Sequence, residues 1–208
     1  MESTSRRIFT VGHSNHTIET FLGLLRRHGV TTIADVRSAP YSRFAPQFSK
    51  EPLRDSLRSE GIKYVFLGRE LGARSSDPAC YEAGRVQYAR LARTDAFRAG
   101  IDRLIHGSEV ETVAILCSEK DPLDCHRTLL VARELVERGL AVDHILADGS
   151  VEHYEDSMLR LLDKTGQPQP DFFTTLDERI DNALRDQEER IAYVDKELAA
   201  AAAEQLTS

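Results

Sequence analysis

Short apolar segments rich in β-branched residues alternate with segments of helical periodicity along most of this chain. The apolar segments cover residues 8–11, 32–36, 64–67, 112–116 and 142–146. They are too short for buried helices, whereas apolar residues between them recur with helical spacing. Such alternation is typical of a parallel sheet with crossover helices on its faces. We therefore expect a three-layer α/β fold with a mostly parallel, five-stranded sheet in a Rossmann-like strand order.

Two helix starts can be placed from local chemistry. Thr17 precedes an apolar stripe that ends before Gly29, so it is expected to cap the first helix. Asp121 and Pro122 fit an N-cap and a first helical position, which predicts a helix that runs to Gly139. Cys125 and the two residues that follow it would then occupy the first turn of this helix.

The last 41 residues have a different composition from the rest of the chain. Pro168 and Pro170 mark a break, and from Asp171 to the end ten acidic residues face four basic ones. We therefore divide the chain into an α/β domain at residues 1–167, which would hold the site, and an acidic helical tail at residues 168–208. Apolar residues in the tail follow a heptad-like spacing at positions 180, 184, 191, 194 and 198. The tail is expected either to pack on the body or to form a homodimer.

Charge does not exclude an anionic ligand. The net charge is −7, but residues 1–170 hold 24 acidic and 23 basic residues, so the body is nearly neutral. Clusters of arginine in the body could still attract an anion.

The chain has no run of eighteen apolar residues and begins without a hydrophobic signal stretch, which predicts a cytoplasmic protein with no membrane association. Its three cysteines are then expected to be reduced thiols.

Polar and ionisable residues follow the predicted strands at the points where the strands end. In an open parallel sheet, ligands bind outside these carboxyl ends, because helix N-termini and loop amides converge there. We expect the following residues to meet in one cleft: His13, Asp35, Cys117, Glu119 and His126 as catalytic candidates, and Arg37, Arg43 and Arg127 as ligands for an anion. Structural roles as loop ties, caps or core residues remain open for each of them.

The two cysteines near this cleft have different expected roles. Cys117 closes a strand and is the better candidate for a nucleophile. Cys125 shares a helical stripe with Leu129, Ala132 and Val136, which favours a small buried hydrophobe.

Several spaced motifs occur together in one order: Gly12-His13-Ser14, Asp35-Val36-Arg37 with Pro40, Ser42 and Arg43, Glu70-Leu71-Gly72, and Cys117-x-Glu119 with Pro122 and Cys125-His126-Arg127. Over about residues 8–162 the chain resembles the bacterial and archaeal family known as domain of unknown function 488. The resemblance implies a single α/β domain and marks these motifs as its site. The acidic tail lies outside the resemblance.

Four functions are compatible with these residues. The first is an enzyme that hydrolyses or transfers a group on a small anionic substrate, with a nucleotide or a nucleic-acid component as the favoured class. The second is thiol or sulfur-transfer chemistry at Cys117, since the Asp-Val-Arg motif and a strand-closing cysteine are similar to those of rhodanese domains. The third is a metal site: no cofactor is predicted, although Cys117, Cys125, His126 and His13 are ligand types that zinc accepts. The fourth is a non-enzymatic ligand sensor or adaptor.

Overall fold

A computed structural model describes residues 7–167 and 174–206 of the chain. Its centre is a six-stranded sheet made of β1 (Arg7–Gly12), β2 (Thr32–Asp35), β3 (Lys63–Phe66), β6 (Val113–Cys117), β7 (Ala141–Ile145) and β8 (Val151–His153). The strands lie in the order β3-β2-β6-β1-β7-β8, and only β8 is antiparallel to its neighbour. A separate two-stranded hairpin is formed by β4 (Tyr81–Glu82) and β5 (Arg85–Val86).

The α/β class with a mostly parallel sheet is confirmed, but the expected Rossmann-like strand order is wrong. In a Rossmann order the first two strands are neighbours. Here β6 lies between β1 and β2 and hydrogen-bonds to both, with Ala114 opposite Phe9 on one side and Ile33 on the other. The sheet also has a sixth strand at its edge, which spans only three residues, Val151–His153.

Helices cover both faces of the sheet. They are α1 (Ile18–Arg27), α2 (Lys50–Ser59), α3 (Gly68–Leu71), α4 (Tyr88–Leu91), α5 (Asp95–Gly107), α6 (Arg133–Glu137), α7 (Tyr154–Thr165), α8 (Leu176–Ile191) and α9 (Lys196–Leu206). One core packs α1 and α2 on the sheet, with Phe21 and Leu53 among its buried residues. The other packs α5, α6 and α7 on the opposite face, with Ile101 and Leu161 among its buried residues. Thr17 caps α1 as predicted, because its side chain accepts a hydrogen bond from the Thr20 amide.

The single helix expected from Pro122 to Gly139 is wrong. Asp121 does cap a 3-10 turn at Pro122–Asp124, but Cys125 then has extended backbone angles, with φ −144° and ψ 139°. A π-helical turn, Arg127–Ala132, follows and leads into α6. These extended angles interrupt the helix, and the Cys125 side chain lies close to Cys117 at the end of β6.

The C-terminal helix α8 packs on the body. Its residues Ala183, Leu184 and Gln187 are buried, and the Gln187 side-chain amide donates hydrogen bonds to the Leu123 carbonyl at 3.0 Å and the Asp124 carboxylate at 2.8 Å. Homodimer formation and the division of the chain at residue 168 stay predictions, and Pro168, Pro170 and Asp171 lie outside the described residues. No described helix combines the length and the apolar composition that a membrane span requires.

Candidate functional site

A cavity of about 220 Å³ opens at the carboxyl ends of β2 and β6. Its wall includes six residues from the predicted strand-end segments: Arg37, Cys117, Ser118, Glu119, Cys125 and His126. Four of the predicted site residues, Arg37, Cys117, Glu119 and His126, therefore meet at one cavity. Cys125, which the helical stripe had suggested to be a core residue, is buried but also lines this cavity.

Close backbone packing holds the loop after β6 in place. The amides of His13 and Ser14 donate hydrogen bonds to the carbonyls of Cys117 and Ser118, at 3.0 Å and 2.9 Å. A Cβ atom at Gly12 would overlap the Glu119 carbonyl oxygen, so only glycine fits at this position. The Gly-His-Ser motif thus serves to fix the loop that carries Ser118 and Glu119.

The two thiols and one imidazole form a tight group at the bottom of the cavity. His126 Nδ1 lies 3.7 Å from Cys117 Sγ and 3.9 Å from Cys125 Sγ. The other ring nitrogen, Nε2, lies 3.2 Å from the Val36 carbonyl oxygen and donates a hydrogen bond to it. This hydrogen bond orients the ring so that Nδ1 faces the two sulfur atoms.

The two thiols have pKa values shifted in opposite directions. Burial alone would raise the pKa of Cys125, but the hydrogen bond from Cys117 and the positive charge of Arg127 outweigh it and lower that pKa well below the usual thiol value. The pKa of Cys117 is raised, because this residue donates to Cys125 and is itself buried. Burial lowers the pKa of His126, but the hydrogen bond and charge of Cys125 more than compensate, so the net shift is upward. Cys125 is therefore the stabilised thiolate of the pair.

Arg37 on the cavity wall is held by a buried carboxylate. Its Nε and Nη2 donate hydrogen bonds to Asp35 at 2.9 Å and 2.6 Å, and its backbone amide donates a third at 3.1 Å. The Tyr64 hydroxyl also donates to Asp35, at 2.7 Å. Asp35 is fully buried, so it lies behind Arg37 rather than on the cavity surface. Because Asp35 engages Nε and Nη2, Nη1 is not used by this carboxylate.

Glu119 contributes a carboxyl group to the cavity wall. The residue as a whole is exposed, but its carboxyl group is partly shielded from water. This loss of hydration, together with the negative charge of Cys125, raises the pKa of the carboxyl above its usual value. A carboxyl with a raised pKa can hold a proton at higher pH than an ordinary glutamate, which suits proton transfer.

His13 lies behind the cavity wall. Its ring stacks on Phe48 with centroids 4.5 Å apart, and its Nδ1 pairs with the Ser14 carbonyl oxygen at 2.9 Å. Burial and the charge of Arg37 lower its pKa to about 4, so His13 is neutral at pH 7. Its position suits a structural role better than direct contact with a ligand.

The two remaining arginine candidates lie away from the cavity wall. Arg127 is buried, and its Nη1 donates a hydrogen bond to the Glu119 carbonyl oxygen at 2.8 Å, so it supports the loop that carries Glu119. Arg43 is exposed on the loop that follows Arg37.

The structure adds wall residues that the sequence reasoning missed. Ile191 and Tyr193 come from the end of α8 and the segment after it, and Arg74 lies with its guanidinium 4.6 Å from the centre of the Tyr193 ring. Their positions depend on how the C-terminal segment folds back over the body, for which no local sequence signal exists.

Comparison with known proteins gives one family. The model of the family described as domain of unknown function DUF488 matches residues 17–133, which is more than half of the 208-residue chain. The match includes Asp35, Arg37 and the whole segment from Cys117 to Arg127, whereas His13 lies outside it. The searches of curated proteins and of solved structures found no match.

Proposed function

Because this chain belongs to the DUF488 family, whose description names no activity, we propose its function from the cavity itself: it is an enzyme that hydrolyses or transfers a group on an anionic substrate. The substrate binds with its negative charge against Arg37. The observation that carries this proposal is a fixed guanidinium beside a cluster of proton-donating and nucleophilic groups in one cavity.

The Arg37 guanidinium is preorganised to bind an anion. Two side-chain hydrogen bonds to Asp35 fix its plane, so little conformational entropy is lost when a ligand binds to it. Guanidinium groups match carboxylate and phosphate oxygens in geometry as well as charge. In this proposal Asp35 is a positioning residue that acts through Arg37.

The reacting groups lie on the same wall. Glu119 has a raised pKa and can donate or accept a proton, and His126 lies beside the two thiols. The two thiols are buried, so charged groups beside them interact more strongly than they would in water, because the effective dielectric constant there is lower.

Two exposed aromatic residues favour a nucleotide or a nucleic-acid component as the substrate. Tyr41 is 72% exposed and Phe44 is 98% exposed, and both lie on the loop that begins with cavity residues Arg37 and Ser38. Nucleobases stack on exposed aromatic rings, and each stacked base is worth ~1–3 kcal/mol. A phosphate at Arg37 would leave the base free to reach this loop.

The proposal can be tested by thermal unfolding with inorganic phosphate and with adenosine monophosphate. Both ligands should raise the Tm of the wild-type protein, and the nucleotide should raise it further than phosphate does. Arg37→Gln should abolish both shifts, whereas Arg90→Gln, which changes an exposed arginine paired with Glu82, should leave them unchanged. Phe44→Ala should reduce only the extra shift of the nucleotide.

A double variant guards against misfolding of Arg37→Gln, which leaves Asp35 without its partner. Asp35→Asn/Arg37→Gln keeps the buried pair uncharged and should also show no ligand-induced shift. A wild-type protein whose Tm responds to neither ligand, or an Arg37→Gln protein that responds normally, would contradict the proposal.

A further inference from the structure

Three possible metal-ligand atoms lie close together at the cavity. Cys117 Sγ, Cys125 Sγ and one ring nitrogen of His126 all lie within 4.8 Å of one another. His126 Nδ1 is 3.7 Å and 3.9 Å from the two sulfur atoms. Zinc bonds of ~2.3 Å to sulfur and ~2.0 Å to nitrogen, at tetrahedral angles, separate such atoms by about 3.6 to 3.8 Å. The two nitrogen–sulfur distances already match this geometry, and the two sulfur atoms, at most 4.8 Å apart, need to approach each other by no more than about 1 Å.

The hydrogen bonds around the group are those of a metal centre. A metal-bound histidine almost always donates its second ring N–H to a backbone carbonyl or a carboxylate, which fixes the ring. His126 makes such a bond from Nε2 to the Val36 carbonyl oxygen at 3.2 Å. The Arg127 backbone amide lies 3.4 Å from Cys125 Sγ and donates to it, which favours the thiolate form that a metal requires.

The backbone at Cys125 brings these atoms together. In a regular helix, Cys125 and His126 would point in different directions, and a shared ion would be excluded. Cys125 instead has an extended conformation between the 3-10 turn and the π-helical turn. This local break lets the side chains of two consecutive residues face Cys117.

We infer that Cys117, Cys125 and His126 bind one zinc ion, or another thiophilic divalent cation in its place, with a fourth coordination position open to the cavity. Two thiolates and an imidazole select such metals over magnesium and calcium, which prefer oxygen ligands. Three protein ligands with an open position are typical of catalytic rather than structural zinc sites. The catalytic use of the ion rests on the proposed function, whereas its binding does not.

The open position faces the proposed anion site. Arg37 and Glu119 line the same cavity as the three ligands, so water or a substrate oxygen at the fourth position would lie among charged side chains. Zinc in such a position polarises an oxygen that it binds and lowers the pKa of bound water. The site would therefore supply an activated oxygen next to a substrate held by Arg37.

Metal titration of the reduced, full-length protein tests this inference. Protein stripped with a chelator is titrated with Zn²⁺ and, separately, with Co²⁺, whose thiolate charge-transfer and tetrahedral absorption bands report the ligands directly. We expect one ion per chain and a cobalt spectrum with two thiolate ligands. Cys117→Ala and Cys125→Ala should each weaken zinc binding at least tenfold and remove about half of the charge-transfer intensity, and His126→Ala should weaken zinc binding by a similar factor.

Cys80→Ala is the matched control. Cys80 is also a buried free cysteine, but it lies in the core away from the cavity, so its variant should bind one ion with wild-type affinity. A wild-type protein that binds neither Zn²⁺ nor Co²⁺, or a Cys80→Ala variant that loses as much affinity as the cavity variants, would overturn the inference. The wild-type titration does not depend on whether any variant folds.

The two proposals fail separately. Arg37→Gln should keep the metal and its cobalt spectrum but lose the Tm shifts caused by phosphate and nucleotide. Metal binding without any such shift in the wild-type protein would leave the metal site standing and remove the proposed function. Anion binding without metal would do the reverse and would favour thiol chemistry at Cys125.

Discussion

The chain contains two histidines that are alike in their hydrogen bonding and opposite in their electrostatics. His126 donates from Nε2 to the Val36 carbonyl oxygen and turns Nδ1 to two thiols at the cavity. His144, on β7, has Nδ1 2.8 Å from the Thr10 hydroxyl and Nε2 3.4 Å from the Ser157 hydroxyl, with no exposed surface. Since the Ser157 hydroxyl donates to the Tyr154 carbonyl oxygen, His144 Nε2 carries the proton in this pair too.

The neighbouring charges separate the two histidines. Burial lowers the pKa of both, but beside His126 the hydrogen bond and negative charge of Cys125 reverse the shift. Beside His144 the charges of Arg127 and Arg160 add to burial and lower the pKa to about 3. Arg127 is thus placed between the regions, where it favours a thiolate on one side and a neutral histidine on the other.

The comparison teaches that burial and tautomer alone do not identify a functional histidine. His126 borders a cavity and faces groups that can bind a ligand, whereas His144 is surrounded by hydroxyls that satisfy it completely. We therefore expect substitutions near the cavity to change ligand binding, and substitutions at His144 to change stability.

Asp35 is the strictest test of this distinction between ligand-binding and structural positions, because it supports the cavity residue Arg37 but is itself fully buried. Asp35→Ala would leave the buried Arg37 guanidinium without its carboxylate and Tyr64 without its acceptor. Removing one partner of a buried ion pair costs about 3–5 kcal/mol, and urea denaturation should show a loss of this size. In the exposed Arg90–Glu82 pair, Glu82→Ala should cost at most about 1 kcal/mol. Equal losses at the two sites would mean that the Asp35–Arg37 pair is not structural.

His144→Ala and His126→Ala test the division directly. The first variant opens a void in the core and leaves the Thr10 hydroxyl without its partner, so we expect a loss of roughly 2–4 kcal/mol in the free energy of unfolding. The second changes a residue on the cavity wall and should cost about 1 kcal/mol or less in metal-free protein. Urea denaturation of chelator-treated samples measures both, and a larger loss at His126 would reverse our assignment.

Much of the fold could be predicted from the sequence because periodicity is a local property. All five parallel strands of the central sheet lie within one or two residues of their expected positions; they are β1, β2, β3, β6 and β7. The strand order could not be predicted in the same way, since nothing local to residues 113–117 indicates that they pair with both β1 and β2. The antiparallel edge strand was missed because three residues show no period.

The candidate site was predictable in outline for a different reason. Parallel strands end at the same edge, so the sequence alone was enough to place Arg37 and Cys117 together. The roles of Cys125 and Arg127 could not be predicted, because they depend on the extended backbone at Cys125 and on a guanidinium that turns under the loop to the Glu119 carbonyl. The wall residues after α8 depend on long-range packing.

The pH dependence of stability should report the neutral state of His144. Its pKa is about 3 in the folded protein and near 6.5 when unfolded, so the unfolded state binds more protons between these values. Stability is therefore complete above about pH 6.5 and falls as the pH decreases. Charged groups close to His144 are Arg127, Arg160 and Asp121.

From pH 7 to pH 5 we expect His144 to account for a loss of roughly 2 kcal/mol in the free energy of unfolding. His144→Gln should remove that part of the slope and leave the part due to His13, whose pKa is also lowered, to about 4. Urea denaturation at a series of pH values gives both slopes. Identical slopes for wild type and His144→Gln would show that folding does not lower the pKa of His144.

The smallest effect separates the two hydroxyls that hold His144. Thr10→Val keeps the shape of the side chain but removes the 2.8 Å hydrogen bond to Nδ1, which leaves a buried acceptor unpaired and should cost about 1 kcal/mol. Ser157→Ala removes a longer contact of 3.4 Å to Nε2, but it also removes the hydrogen bond to the Tyr154 carbonyl oxygen. If the Nε2-protonated tautomer is correct, Thr10→Val should raise the pKa of His144, because the lone pair on Nδ1 becomes free to take a proton, whereas Ser157→Ala should not. Titration of the His144 ring protons by NMR distinguishes the two variants. A pKa that rises in Ser157→Ala but not in Thr10→Val would assign the proton to Nδ1 instead.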